Sequence, residues 1–252
     1  MRDFNFDIQH GKYDRVLCWW SAGVTSAVAT KLALEVFKKS IIPVEILYCD
    51  TGSEHPDNVR FKKDCERWYG QPIKVLKNKK YKDIYDVFRK ERWLVGPAGA
   101  RCTTELKKLV RNEYERPTDL QVFGYDNDEY KRIERFTKNN FDTRLYLPLI
   151  QGNLSKSDCL KILKHAGIEI PVMYKMGYRS NNCVGCVKCG IGYWLKIQKD
   201  FPEEFEKMSQ VEQELGASVL QSKGKKLFLK DLDPTKHKGR YQELDNSCGF
   251  SC

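Results

Sequence analysis

The chain lacks any long apolar run. Its longest stretches, such as residues 16–20, fall far short of the roughly 20 residues that cross a bilayer, which argues against a membrane-spanning helix. The start, Met1-Arg2-Asp3-Phe4-Asn5, has no secretory apolar segment, so the expected location is the cytoplasm. No G-x-x-x-x-G-K-S/T run occurs, and with it a Walker-type nucleotide site is excluded. Repeats and low-complexity segments are absent as well. Acids are the scarcer charge, 34 against 44 Lys and Arg, giving a formal +10. That balance favours anionic partners such as nucleotides or nucleic acid without choosing between them.

What is present describes a globular protein. Hydrophobic residues make up 41% and charged residues 31% of 252 residues, and the mean hydropathy is −0.60. At roughly 150 residues per domain this length allows one large domain and a small appendage. Ten cysteines in a reducing compartment are poor candidates for disulfides, so their spacing must say which bind metal, which react and which pack.

The residues 15–20 form a short β-prone run that leads through Ser21-Ala22-Gly23 into helix-favouring residues 24–39. The alternation continues, with strands expected at 43–49 and 73–76 and helices at 57–69 and 81–92. A glycine-rich loop at 96–99, a helix near 104–114 and a strand at 120–123 follow. Such alternation predicts an α/β fold with a parallel sheet, Rossmann-like, over residues 1–150. Residues 151–252 form a second, cysteine-rich region with a basic tail. There Ser155 caps a helix reaching residue 165, residues 202–215 are helical and residues 219–229 suit a hairpin.

The segment Ser21-Ala22-Gly23-Val24-Thr25-Ser26 joins a strand to a helix, where free backbone N–H groups and the helix dipole favour an anion. It resembles the S-G-G-x-D-S pyrophosphate loop of the adenine nucleotide α-hydrolase superfamily, with Ala22 and Thr25 as departures. The next strand ends in Asp50-Thr51-Gly52-Ser53-Glu54-His55-Pro56, which resembles the D-T-G-x-x-x-P segment of the phosphoadenosine phosphosulfate reductase family. Carboxyl ends of parallel strands line one crevice, so both segments are expected at one site. A comparable glycine, acid and arginine run follows the later strand at Gly124 through Arg132, and Arg132 or Arg135 suits a substrate phosphate or sulfate. The resemblance thus assigns Ser21, Ala22, Gly23, Thr25, Ser26, Asp50, Thr51, Gly124 and Arg132 to nucleotide binding. It implies ATP or an adenylyl sulfate as substrate, with magnesium as a companion ion.

Cys183-Val184-Gly185-Cys186-Val187-Lys188-Cys189 packs three thiols into one short loop, a density suited to thiolate-bound metal. Arg101-Cys102-Thr103-Thr104-Glu105-Leu106-Lys107 resembles the cysteine pair followed by lysine of cluster-bearing sulfonucleotide reductases, with Thr103 in the second cysteine's place. The resemblance implies a four-iron four-sulfur cluster on Cys102, Cys183, Cys186 and Cys189, with zinc as the alternative, since thiolates serve both. It also implies a catalytic part for Lys107 and for Cys248, whose Cys248-Gly249 resembles the tail Cys-Gly of those reductases; Cys252 would resolve it. Cys18, Cys49, Cys65 and Cys159 fall on apolar element positions and are expected to pack.

Three functions follow. The first is an adenylyl-nucleotide enzyme that moves or reduces sulfur. The second is an ATP pyrophosphatase that activates a nucleic acid for thiolation, of transfer RNA or as DNA phosphorothioation. The third is a non-catalytic metal-binding nucleic-acid module. A cysteine desulfurase or a thiol reductant would be the sulfur partner, and an oligomer is compatible with the sequence.

Overall fold

A computed structural model describes residues 12–97 and 99–237. Cys248 and Cys252 lie outside the described residues. Five parallel strands form the central sheet in the order β3-β2-β1-β6-β7. They are β1 (Arg15–Trp19), β2 (Val44–Cys49), β3 (Lys74–Leu76), β6 (Asp119–Val122) and β7 (Arg144–Tyr146). β1 is central and buried along its whole length, as a strand covered on both faces must be. Arg15 and Asp119 are register partners on β1 and β6, and their side chains form a two-pronged ion pair at 2.8 and 2.9 Å.

The helices follow the expected alternation. α1 (Val24–Phe37) buries Val24, Ala27, Val28, Ala33 and Phe37 against the sheet. α2 (Asn58–Tyr69) stops at Gly70, whose φ of 74° lies in the left-handed region. α3 (Ile84–Glu91) is capped by Asp83, which accepts from Asp86 N–H at 2.8 Å. The glycine-rich 96–99 stretch is more ordered than a loop: Val95–Gly96 (β4) and Gly99–Ala100 (β5) pair as an antiparallel ladder. The helix after it begins at Arg101 and contains a π-helical turn, Thr104–Lys108, a form that often accompanies functional positions.

α4 (Tyr130–Asn139) and α5 (Lys156–His165) flank the last sheet strand, and α5 packs against α1. Ser155 and Asp158 form the expected capping box on α5. α6 (Ile191–Asp200) and α7 (Pro202–Leu215) then pack together and α7 reaches α3. The final hairpin pairs β8 (Leu220–Ser222) with β9 (Lys225–Leu227). Both carboxylate oxygens of the fully buried Glu212 on α7 accept backbone N–H groups, from Val219 and Leu229, at 2.6 Å each, which ties that segment down. Among the described residues no helix is long and apolar enough to cross a membrane.

Candidate functional site

β1 is followed by Trp20, whose N–H donates to Leu47 O at 2.8 Å, and the chain then turns sharply through Ala22 at φ 59° before α1 starts. The turn is held by its own hydroxyls. Ser26 Oγ receives Ser21 N–H at 3.0 Å and Ser21 Oγ at 3.1 Å, and donates to Gly23 O at 2.9 Å. Gly124, just past β6, crosses this turn so closely that a Cβ there would lie 2.6 Å from the backbone N and Cα of Ser26. Only glycine fits, and its position brings the 124–132 run to the loop.

An open cavity of about 590 Å³, solvent at its mouth included, lies at this crossing. Ser21, Gly23, Thr25, Ser26, Gly124 and Arg132 line it, so six of the nine residues assigned to the nucleotide meet at one pocket. Ala22 is fully buried within the turn. Asp50 and Thr51 are not among the pocket's lining residues. Asp50 accepts from Gly52 N–H at 2.8 Å and pairs with Lys77 at 3.2 Å, while Thr51 is directed at the cysteines. Gly52 is left-handed at φ 68°, and a Cβ there would meet Lys82 O at 2.3 Å.

Two cations, Arg132 and Lys156, and one carboxylate, Glu129, line the pocket. Arg132 is ion-paired to Glu129 and stacks over the Tyr125 ring at 4.9 Å, whereas Arg135 is exposed. Burial raises the Glu129 and Asp126 carboxyls above their ordinary values and lowers the Lys156 ammonium below its own. Lys156, at the first turn of α5, donates to Arg179 O and lies 5.0 Å from the Tyr174 ring centre. Lys156, Tyr174, Ser180 and Asn181 line the pocket without having been singled out from the sequence. The Ser155 cap located the helix that begins at Lys156, but nothing local showed where that helix lies.

The cysteines form the neighbouring half of the site. Cys183, Cys186 and Cys189, together with Cys102 from the hairpin's exit, pack into one hydrophobic cluster. None of the four is in a disulfide. Tyr193 of α6 holds their loop, its hydroxyl receiving Gly185 N–H at 3.0 Å and Cys186 N–H at 3.1 Å and donating to Cys183 O at 3.2 Å. Burial pushes the Cys183 thiol up, with Glu54 acting in the same direction, while the Lys107 charge and the Thr51 hydroxyl act against it. Lys107 also faces Cys49, whose buried thiol is pushed up to about 12. Cys18, Cys49, Cys65 and Cys159 are buried, as expected of packing residues.

A donor set of four thiols with no carboxylate among them suits an iron–sulfur cluster or zinc. Among the described residues no group of three or more Cys, His, Asp or Glu is arranged to hold a metal ion.

Four contacts join the cysteine segment to the rest of the site. Asn181 Nδ2 donates to Ala22 O at 2.8 Å and to Asn58 Oδ1 at 2.6 Å. Thr51 Oγ1 lies 3.0 Å from Cys183 Sγ, and Val184 N–H donates to Ser53 O at 2.9 Å. A tight turn into a helix at the carboxyl end of the central strand of a five-stranded parallel sheet, with a cysteine segment docked beside it, places the chain among α/β proteins with a pyrophosphate-loop fold. The chain belongs to the phosphoadenosine phosphosulfate reductase domain family, whose model matches residues 15–191.

Two uncharacterised proteins of Methanocaldococcus jannaschii are 25% and 24% identical to it, each over 78% of this chain. The chain spans 41% and 47% of their lengths. Among solved structures, it is similar to a phosphoadenylyl-sulfate reductase of Candida auris in a phosphate complex. That match has 12% identity and a TM-score of 0.49, over 72% of this chain and 88% of that one. It is also similar to a U34-tRNA thiolase of Methanococcus maripaludis with its four-iron four-sulfur cluster. There the identity is 16% and the TM-score 0.46, over 84% of this chain and 76% of that one.

Proposed function

We propose that this chain is an enzyme that binds an adenylyl nucleotide in the Ser21–Ser26 pocket and uses the adjoining cysteines to transfer or reduce sulfur. One observation carries the reading: the segment that leads into the cysteine loop is bonded to the nucleotide loop through Asn181 to Ala22, and Cys183 itself lies against Thr51 at the end of the neighbouring strand. A reaction that needs a nucleotide phosphate and a sulfur group side by side would find both in this arrangement. Ser21, Gly23, Thr25, Ser26 and Gly124 would hold phosphates through backbone N–H groups and hydroxyls, with magnesium accompanying the nucleotide. Cys102, Cys183, Cys186 and Cys189 would hold a four-iron four-sulfur cluster, or zinc as the alternative. When bound, that group supplies a Lewis acid to a sulfur ligand and fixes the segments that carry the thiols. Lys107 would place a positive charge beside the incoming anionic sulfur group.

With a sulfonucleotide, the Cys248 thiolate would attack the sulfur and displace the adenosine phosphate. The Cys252 thiolate would then attack Cys248, releasing sulfite and closing a disulfide that an external thiol reductant resets. A second reading is favoured by the formal charge of +10. An oxygen of a nucleic acid attacks the α-phosphorus of ATP and pyrophosphate leaves; sulfur from a donor such as a cysteine desulfurase then displaces AMP.

Thermal unfolding of anaerobically purified protein with ATP, adenylyl sulfate or phosphoadenylyl sulfate separates the two. A ligand at 100 times its dissociation constant adds about 2.7 kcal/mol. Preference for a sulfonucleotide is the outcome of the first reading and preference for ATP that of the second. No stabilisation by any of the three would contradict both.

A further inference from the structure

The pocket's fourth wall comes from the segment that leads into the cysteines. Ser180 and Asn181 are 8% and 4% exposed, and both line the cavity. Ser180 Oγ and Asn181 Oδ1 are buried and have no hydrogen-bond partner among the described residues. Buried polar atoms are rarely left so in native proteins, because each forfeits its bonds to water. The orientation of Asn181 is fixed by its neighbours: Nδ2 donates to two acceptors, Ala22 O and Asn58 Oδ1, which leaves Oδ1 as the remaining group. That oxygen only accepts. A phosphate, itself an acceptor at neutral pH, cannot satisfy it; a hydroxyl or an amino group can.

We propose that Ser180 and Asn181 are specificity residues that bind the nucleoside part of the ligand, Asn181 Oδ1 accepting a hydrogen bond from a sugar hydroxyl or the exocyclic amino group of the base and the Ser180 hydroxyl, which can donate or accept, completing the contact. The inference rests on the nucleotide reading above and deepens it. The Ser21–Ser26 loop and Gly124 take the anionic end, and the cysteine-bearing segment takes the neutral, donor-bearing end. Cys183 lies two residues beyond Asn181, so the same contacts that read the nucleoside set the position of the thiol.

The test compares wild type, Ser180→Ala and Asn181→Ala for binding of ATP, 2′-deoxy-ATP, inosine triphosphate and inorganic tripolyphosphate, by calorimetry, alongside thermal melting. Ser180→Ala removes a hydroxyl with no partner in the fold, so melting is expected to hold or rise while ATP binds about 5- to 10-fold more weakly. Tripolyphosphate affinity is expected to stay within about twofold of wild type in the same variant. For the analogue that lacks the recognised donor, the Ser180→Ala penalty disappears; deoxy-ATP or inosine triphosphate thereby identifies the sugar or the base. Asn181→Ala also loses the bond to Ala22 O, so it is expected to weaken all four ligands, and ATP the most. Equal ATP affinity in wild type and Ser180→Ala, or equal losses for ATP and tripolyphosphate in both variants, would overturn the assignment while leaving the nucleotide pocket standing. Wild-type protein that binds none of the four would overturn both.

Discussion

The two halves of the site are built by different means. The nucleotide loop is produced by regular structure: β1 is buried, α1 starts at Val24, and Gly124 presses on Ser26 because β1 and β6 are paired neighbours. The cysteine loop has almost no regular structure and is held from outside, by Tyr193 beneath it and by Ala22, Thr51 and Ser53 beside it. One half is therefore set by strand and helix geometry, and the other by long-range docking onto it. The cysteine half should yield first to small changes, without dragging the loop with it.

The largest effect is expected at Gly124. Gly124→Ala inserts a Cβ 2.6 Å from backbone that cannot swing aside. Destabilisation of about 3 kcal/mol in urea melts is expected, with loss of nucleotide binding. Gly190→Ala, where a Cβ meets nothing within 4 Å, serves as the control and should melt like wild type. Equal melting of the two variants would mean that β6 does not press on the loop.

Tyr193→Phe comes next. It deprives the buried Gly185 and Cys186 N–H groups of their acceptor, at a cost of about 2 kcal/mol. Iron or zinc uptake, measured by metal analysis of purified protein, should fall by much more than ATP affinity does. A matching loss of ATP affinity would erase the distinction between the halves.

The smallest effect concerns pH. Burial raises the Asp126 and Glu129 carboxyls, so their contribution to stability is full below the ordinary carboxylate range and is lost as pH rises through the raised values. Asp126→Asn keeps an acceptor for Asp128 N–H and should flatten that decline in melts taken from about pH 4 to about pH 8. Wild-type and Asp126→Asn profiles that run parallel over that range would contradict the burial of this acid.

The same contrast explains what the sequence made legible. β1, the loop and α1 could be read because apolar run, small residues and helix formers follow one another locally, and the span 202–215 matches α7 residue for residue. The Cys183–Cys189 spacing was equally local. The β4–β5 ladder was hidden because glycines signal a loop as readily as a tight hairpin, and α6 was masked by the glycines and cysteines that precede it. Lys156, Tyr174, Ser180 and Asn181 belong to the pocket only because the chain after β7 folds back across the loop, and no short-range pattern encodes that return. Thr51 was assigned to the nucleotide from its position at a strand end, whereas its hydroxyl meets Cys183.

The central claim is that nucleotide pocket and cysteine loop act as one site. Amide hydrogen exchange with and without a saturating adenylyl nucleotide tests it most directly. The expected result is slowed exchange in residues 21–26 and, in the same experiment, in residues 180–189, including the Val184 N–H that donates to Ser53 O. Protection confined to residues 21–26 and 124–132, with 180–189 exchanging as in the free protein, would contradict it.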